Sequence, residues 1–399
     1  MNTVDAVILA GGKGSRIKNY LKGKPKPLAK IGKYTFLDLL IGHIAMYDIR
    51  KIYILAGYKG SQIYKKYNKK VVNLTPIECI VEEKPLGTGG SLSVLKNKIS
   101  KNFFLFNGDT IFDFNYFDLF KFKKNYNQVI ALKNSYFKLN GNKIKNISIS
   151  KNLTLNIAGK KNKNIYTNGG VYLFDKSIFK MISKNKISLE DDVIYELIKK
   201  KKITGCVNNS FFYDIGTKND YKKAQKKLLG YLKKPALFID RDNTINKDNG
   251  YTYKFNKFKF INNSFNALKY ASAKKIYIFI ISNQAGIAKG LFTEKDFLNL
   301  HKKLKKKFIK NNIIINEVKH CPYHPNAKVL KYKRTTKLRK PGNLMINQVL
   351  NSWVVDINKS IMIGDSIKDK RCADKSSLKF FYVKKNLKKQ LESIKSFVK

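Results

Sequence analysis

Arginine is scarce in this chain. Six of its 81 basic residues are arginine (Arg16, Arg50, Arg241, Arg334, Arg339 and Arg371) and the rest are lysine. Acidic residues are also few, 27 in all, which leaves a formal net charge of +54. Such a charge invites a nucleic-acid reading. The shortage of arginine argues against it, because the planar guanidinium fork is the better partner for phosphates and base edges. The lysines are spread along the chain beside abundant Asn and Ile, as compositional drift would leave them. No specific nucleic-acid partner is expected, only weak, salt-sensitive background binding and a preference for anionic substrates. Cysteine is sparse too: Cys79, Cys206, Cys321 and Cys372 are scattered. They suit a reducing cytoplasm better than a disulfide framework. No apolar run approaches the roughly 20 residues of a membrane span. Met1–Asp5 carries no basic stretch ahead of an apolar one, so no signal peptide is expected. Of the 399 residues, 43% are hydrophobic, enough for buried cores and for two domains.

The stretch with the densest chemistry is Phe238-Ile239-Asp240-Arg241-Asp242-Asn243-Thr244-Ile245-Asn246. The apolar run Ala236–Ile239 reads as a buried strand. It ends in two aspartates two residues apart, and in extended backbone residues i and i+2 point the same way. Strand ends of open α/β sheets are where ligands bind. Paired carboxylates there can hold Mg²⁺, and one can attack phosphorus while the other moves protons. A plain turn after a strand uses the same residue types. Three further stretches follow in order: Ile278–Ile281 running into Ser282-Asn283, a basic pair at Arg339-Lys340-Pro341-Gly342, and Ile361–Ile363 running into Gly364-Asp365-Ser366 with Asp369 beyond.

Together these four motifs, over roughly residues 234–385, resemble the haloacid dehalogenase (HAD) phosphatase superfamily. The resemblance implies a parallel α/β/α sheet with a minimal cap. It assigns Asp240 as nucleophile, Asp242 as acid and base, Ser282 and Asn283 as phosphoryl holders, and Arg339 and Lys340 as charge neutralisers. Asp240, Asp242 and Asp365 would hold Mg²⁺, and Asp369 would orient its neighbours. The stretch after the first motif, with Ser282-Asn283-Gln284-Ala285-Gly286-Ile287, is similar to the heptose-bisphosphate and histidinol-phosphate phosphatases. Two departures stand out. Asn243 replaces a usual Gly, and Ser377-Leu378-Lys379 lacks the glycine common after the last motif. That subgroup also carries a Cys₃His zinc loop. Here Tyr323, Thr336 and Leu338 stand at three of its four ligand positions and Cys321 alone remains, so zinc is not expected.

The N-terminal half opens on the apolar run Val4–Leu9, which enters Ala10-Gly11-Gly12-Lys13-Gly14-Ser15-Arg16. Glycines let a backbone turn tightly and present N–H groups to a phosphate. Lys24-Pro25-Lys26-Pro27-Leu28 follows, where prolines can fix the direction of Lys26. These stretches, with Pro85-Leu86-Gly87-Thr88-Gly89-Gly90, Asn107-Gly108-Asp109, Asn168-Gly169-Gly170, Ser188-Leu189-Glu190 and Tyr213-Asp214-Ile215-Gly216, resemble the sugar-1-phosphate nucleotidyltransferases over residues 3–228. Ser15 stands where that family usually has Thr. The resemblance implies a Rossmann-like mixed sheet. Leu9, Gly11, Gly12, Gly14, Ser15, Gly87, Thr88 and Gly89 would bind nucleotide, and Gly170 and Glu190 would bind sugar. Lys26 and Arg16 would offset charge, and Asp109 and Asp214 would hold a second Mg²⁺. Ser188 to Glu190 can equally cap the helix that follows. No hexapeptide repeat follows; Lys218–Leu232 reads as an amphipathic helix, and the boundary is placed at Lys233-Lys234-Pro235. The expected domains are thus 1–232 and 233–399.

The pairing of families implies two consecutive reactions. The C-terminal half would remove the 7-phosphate of D-glycero-D-manno-heptose 1,7-bisphosphate. The N-terminal half would join the resulting sugar 1-phosphate to an NTP, with GTP the expected one, giving a GDP-heptose for surface polysaccharide. Sugar phosphates and NTP would be the partners, with oligomerisation left open. Histidinol-phosphate phosphatase activity, another hexose 1-phosphate, and a polyanion-binding protein with degenerate enzyme sites are the alternatives.

Overall fold

The structure is a computed structural model; it describes residues 4–124, 126–134, 147–150, 153–158, 165–182 and 185–394. The chain divides into two compact units. One comprises Met1–Ile44, Ile49–Val71 and Thr75–Leu228, the other Ala45–Asp48, Val72–Leu74 and Leu229–Lys399. Both are α/β.

The first unit is built on a ten-stranded mixed sheet. Its centre is parallel: Val4–Leu9 pairs on one side with Ile49–Ala56, which pairs with Thr75–Val81, and on the other side with Asn102–Asn107. Tyr166–Asp175 then adds antiparallel to Asn102–Asn107 and to Gln128–Asn134. The apolar run Val4–Leu9 seen in the sequence is the first of these strands, with the same bounds. Alternate residues serve the two faces, as the period of two requires. Phe103 and Leu105 join Leu92, Leu95, Val193 and Leu197 in one cluster. Phe104 and Phe106 pack on Tyr116, with ring centroids 6.1 and 4.8 Å away. A separate two-stranded ribbon joins Thr110–Phe112 antiparallel to Phe212–Asp214 and sets Thr110 opposite Asp214. The helix Lys218–Leu232 forms as its pattern predicts, with Ala224 and Leu228 fully buried.

The second unit is a five-stranded parallel sheet in the order Glu317–Cys321, Tyr277–Asn283, Ala236–Ile239, Ile361–Gly364, Lys379–Tyr382. Ala236–Ile239 lies in the middle, between its two motif-bearing neighbours. Parallel strands between helices are apolar on both faces, which is why these runs do not alternate. Leu237, Ile239, Ile278, Ile280, Ile361 and Ile363 pack with helix residues Leu268, Leu300, Leu304 and Leu391. Phe238 and Phe279 face the other way and pack on each other, and the Trp353 ring lies 5.6 Å from Phe279. Parallel alignment brings the ends of the three central strands, and so Asp240, Ser282-Asn283 and Gly364-Asp365, to one edge. The four cysteines are buried and free. Among the described residues no helix is long and apolar enough to cross a membrane.

Candidate functional sites

In the first unit a cavity of about 340 Å³ opens at the C-terminal ends of the parallel strands. Its lining includes Leu9, Gly11, Gly12, Lys26, Gly87, Thr88, Asp109 and Glu190, all singled out from the sequence. Strand geometry explains the convergence. Val4–Leu9, Ile49–Ala56, Thr75–Val81 and Asn102–Asn107 run the same way, so Leu9, Leu55, Glu82 and Asn107 to Asp109 leave the sheet together. Lys26 follows Pro25 in a short 3-10 turn, Lys26–Leu28. Its ammonium forms an ion pair with Asp109 Oδ2. Gly14 lets it approach: Gly14 has φ +65°, and a Cβ there would meet the Lys26 Cβ at 2.9 Å. Gly87 is required in the same way, since its φ is +75° and a Cβ would lie 2.4 Å from the Ile187 carbonyl oxygen.

Asp109 and Asp214 are brought together by the two-stranded ribbon. The Thr110 hydroxyl lies 3.3 Å from Asp109 Oδ1 and 3.0 Å from Asp214 Oδ2. Gly216 N–H donates to Asp214 Oδ1 at 2.5 Å. Burial, then the Asp109 carboxylate, push the Asp214 carboxyl up to about 6. Two carboxylates sharing one lysine leave excess negative charge, which a divalent cation relieves. Glu190 is not the acid of a helix cap. Ser188 caps with Asp191, whose N–H donates to Ser188 Oγ at 3.1 Å, and Asp192 accepts from Ser188 N–H at 2.7 Å. Glu190 instead accepts from the Thr88 hydroxyl at 3.2 Å and lines the cavity. Burial raises its carboxyl. Gly170 sits at the bulge in its strand, its N–H donating to Asn168 Oδ1 at 2.9 Å. Gly14, Ser15, Arg16, Gly89, Gly170 and Asp214 are not among the lining residues, and Ser15 and Arg16 are exposed.

In the second unit Asp240, Asp365 and Asp369 each offer an oxygen, and these oxygens lie within 4.8 Å of one another. Lys340, 3% exposed, is held between two of them, with Nζ 2.7 Å from Asp240 Oδ1 and 2.6 Å from Asp369 Oδ1. It also donates to the Ile281 carbonyl at 2.9 Å. Asn283 fixes the Lys340 backbone from both sides, donating to its carbonyl at 3.1 Å and accepting from its N–H at 3.0 Å. Burial lowers the Lys340 ammonium, but Asp240 and Asp369 outweigh it and leave it above the usual lysine value. Burial, with Asp369 and Asp242 nearby, pushes Asp240 up to about 7 against the pull of Lys340. Burial and Asp369 raise Asp365 as well. Three carboxylates around one lysine fit a divalent cation better than they fit one another.

Asp242 is not part of this cluster, whose third carboxylate is Asp369. The Asp242 carboxylate accepts from Arg241 Nε at 2.9 Å, Asn246 Nδ2 at 3.2 Å and Gln284 Nε2 at 2.9 Å. Gln284 also donates to Ser282 Oγ at 2.7 Å, so one buried amide ties two motifs together. Asn243 adopts φ +55° and Ser377 φ +55°, so both expected glycine positions are left-handed and carry a side chain nonetheless. Asn tolerates that region well, and the Asn243 side-chain carbonyl accepts from Asp248 N–H at 3.1 Å.

The zinc loop positions do not fit a zinc centre. The Tyr323 ring lies under the Arg334 guanidinium, 3.6 Å from its carbon. Thr336 Oγ1 accepts from Leu338 N–H at 3.1 Å, and the Cys321 thiol reaches the Tyr323 carbonyl at 3.8 Å. Ring stacking and main-chain bonds occupy the places where ligands would stand. His324 is half-buried, its Nδ1 accepting from Asn326 N–H at 3.1 Å. Glu82 and Thr110 escaped the sequence reading, and Gln284 was read there only as part of a motif, with no role of its own. Glu82 had a usable signal, since it directly follows an apolar run; the others act through tertiary hydrogen bonds that no local pattern announces.

Comparison with known proteins matches these two architectures. Residues 5–140 match the nucleotidyl transferase family and residues 307–383 the haloacid dehalogenase-like hydrolase family. The chain is 30% identical to the D-glycero-alpha-D-manno-heptose 1-phosphate guanylyltransferase of Aneurinibacillus thermoaerophilus, over 57% of this chain and all of that protein. It is 31% identical to the Campylobacter jejuni protein of that name, over 55% of this chain and 97% of the relative. It is 34% identical to the D-glycero-beta-D-manno-heptose-1,7-bisphosphate 7-phosphatase of Yersinia pestis, over 35% of this chain and 74% of the relative. The chain is a fusion of a member of the nucleotidyl transferase family with a member of the haloacid dehalogenase-like hydrolase family.

Proposed function

We propose that this enzyme catalyses two consecutive steps in making a nucleotide-activated heptose. Residues 233–399 hydrolyse the 7-phosphate of a heptose 1,7-bisphosphate, and residues 1–232 transfer a nucleotidyl group, guanylyl by preference, to the sugar 1-phosphate so formed. The observation that carries this reading is the pair of carboxylate–lysine centres at parallel strand ends, Asp109–Lys26 and Asp240–Lys340–Asp369, on a chain whose relatives bear those two activities. The cytoplasm suits it, as four buried thiols stay free there.

In the phosphatase half an Asp240 oxygen attacks phosphorus and the bond to the sugar oxygen breaks. Asp242 gives that oxygen a proton, then takes one from the water that opens the aspartyl phosphate and releases inorganic phosphate. To reach the substrate Asp242 turns out of its contacts with Arg241 and Gln284. Ser282 and Asn283 hold the transferred group, and Lys340 offsets its charge, with Arg339 beside it. In the transferase half the sugar phosphate oxygen attacks the α-phosphorus of the NTP and pyrophosphate leaves. Gly11, Gly12 and Thr88 seat the nucleotide, Glu190 and Gly170 meet the sugar, and Lys26 and Arg16 offset charge. Asp240, Asp365 and Asp369 would hold Mg²⁺ in one half and Asp109 and Asp214 in the other, and the ion would supply the remaining charge neutralisation.

The test is incubation of the full chain with heptose 1,7-bisphosphate, GTP and Mg²⁺, followed by ³¹P NMR. Phosphate release and then a GDP-sugar resonance are expected. Asp240→Asn is expected to abolish phosphate release while still converting supplied heptose 1-phosphate. Phosphate release that persists in Asp240→Asn removes that residue as nucleophile.

A further inference from the structure

Between the strand Glu317–Cys321 and the basic pair Arg339-Lys340, residues 322–338 form no strand and no α-helix, only the 3-10 turn Leu330–Tyr332. A segment of that length keeps one shape only if contacts hold it against its own entropy. Tyr323, Thr336 and Leu338 stand where the resembled subgroup has zinc ligands, so the hold comes from elsewhere. It starts on a rigid element. Glu294 is the first residue of the helix Glu294–Lys310, whose N-terminus is closed by a capping box between Thr293 and Asp296. Glu294 Oε1 lies 3.0 Å from His320 Nε2, and Oε2 accepts from the Tyr332 hydroxyl at 3.3 Å. The His320 ring rests on Phe297 of the same helix, with centroids 4.2 Å apart. The hydrogen bond to His320 holds the Glu294 carboxyl below the usual range, so it serves both partners as an anion. Tyr332 packs on Tyr323, with centroids 5.9 Å apart, and the Arg334 guanidinium covers the Tyr323 ring at 3.6 Å.

The far end of this series is Arg339. The Tyr323 carbonyl accepts from Arg339 Nη1 at 3.5 Å. Lys340, next in the chain, is fixed independently by Asp240, Asp369, the Ile281 carbonyl and Asn283. Arg339 has no such set. It is half-buried, and among the described residues its side chain makes one hydrogen bond, the long one to Tyr323. A long bond restrains a guanidinium only as well as its acceptor is itself held. A guanidinium that meets a phosphoryl group does so with a planar fork, so its direction matters as much as its charge. We infer that Glu294, Tyr332, Tyr323 and Arg334 form a zinc-free clasp that aims Arg339 at the transferred phosphoryl group, which makes these four positioning residues of the phosphatase reaction. The inference rests on reading the second unit as a heptose-bisphosphate phosphatase.

The experiment measures phosphate release from heptose 1,7-bisphosphate by the full chain in Mg²⁺. Residues that act through one another are coupled, so Tyr323→Ala is expected to lower kcat/KM roughly tenfold. Tyr323→Phe keeps the ring under Arg334 and is expected to stay within about twofold of wild type. In an Arg339→Ala background the same Tyr323→Ala change is expected to cost less than about twofold, because the group it aims is gone. Should Tyr323→Ala not fold, Tyr332→Phe carries the test. It removes one hydroxyl, is expected to lower kcat/KM about two- to fivefold, and loses that effect when Arg339 is absent. Equal losses with and without Arg339 overturn the inference, because a merely structural role would give them. So does Tyr323→Ala with wild-type kcat/KM. The zinc-free part is read by elemental analysis of chain grown with added zinc. A zinc content that Cys321→Ser leaves unchanged is expected; one zinc per chain that Cys321→Ser removes overturns that part. Absence of phosphate release by the wild type sinks the phosphatase reading itself, and the inference with it.

Discussion

Replacing Lys340 by methionine tests the core of the phosphatase site. The change keeps much of the side-chain volume and removes the charge. Lys340 is 3% exposed and its partner Asp369 is fully buried. The variant would leave Asp240 and Asp369 without their shared cation. Removing one partner of a buried ion pair typically costs about 3–5 kcal/mol, because the other charge stays buried and uncompensated. For a unit of this size that corresponds to a melting shift of roughly 6–20 °C. The chain holds a single tryptophan, Trp353, packed on Phe279 and donating to Glu317 Oε2 at 2.8 Å. Its fluorescence therefore reports the second unit, and the melt is best followed by it in EDTA. Adding Asp369→Asn to Lys340→Met removes one orphaned carboxylate while keeping an acceptor for Ser366, whose hydroxyl donates to Asp369 Oδ2 at 2.6 Å. The double variant should recover part of the loss, with a coupling energy of about 1–3 kcal/mol. Phosphatase kcat should fall by on the order of 10²–10³ in both. A Trp353 transition in Lys340→Met within about 1 kcal/mol of wild type, or a double variant less stable than the single one, would refute the argument from buried charge.

His301 gives a pH prediction. It is 2% exposed, and burial, then Arg241 and His320, hold its pKa well below the ordinary 6.5. The unfolded chain therefore binds a proton here before the folded one does. The stability tied to His301 is complete above about pH 6.5 and is lost as pH falls below it. Between pH 7 and 5.5 this one group should cost about 1 kcal/mol, and His301→Leu should abolish that part of the slope in urea melts read at Trp353. Arg334→Ala removes the guanidinium stacked on Tyr323. Because Arg334 is exposed, stability should drop by about 0.5–1 kcal/mol, while phosphatase kcat falls several-fold as the segment bearing Arg339 and Lys340 loosens. After treatment with a chelator, Mg²⁺ alone should restore both activities, and added zinc should not improve on it.

Much of the site was legible in the sequence because strand ends are local features. An apolar run fixes a strand, and the residues after it fix what the strand end presents. In parallel sheets those ends lie together, so Leu9, Asp109, Asp240, Ser282 and Asp365 could be read without coordinates. The helix Lys218–Leu232 was equally plain from its period. Side-chain partnership was not legible, because it depends on contacts between residues far apart in sequence. Only the tertiary structure turned Asp242 toward Arg241 and Gln284, set Asp369 against Lys340, left Ser15 and Arg16 exposed, and aimed Glu190 at Thr88 rather than at a helix cap. The same holds for Asn243. The resemblance to the HAD phosphatases marks it as a departure from glycine, while the fold shows the left-handed backbone that asparagine tolerates there. Sequence fixes local geometry through sterics and periodicity; charges and hydrogen bonds choose their partners only once packing has brought distant segments within about 3 Å of one another.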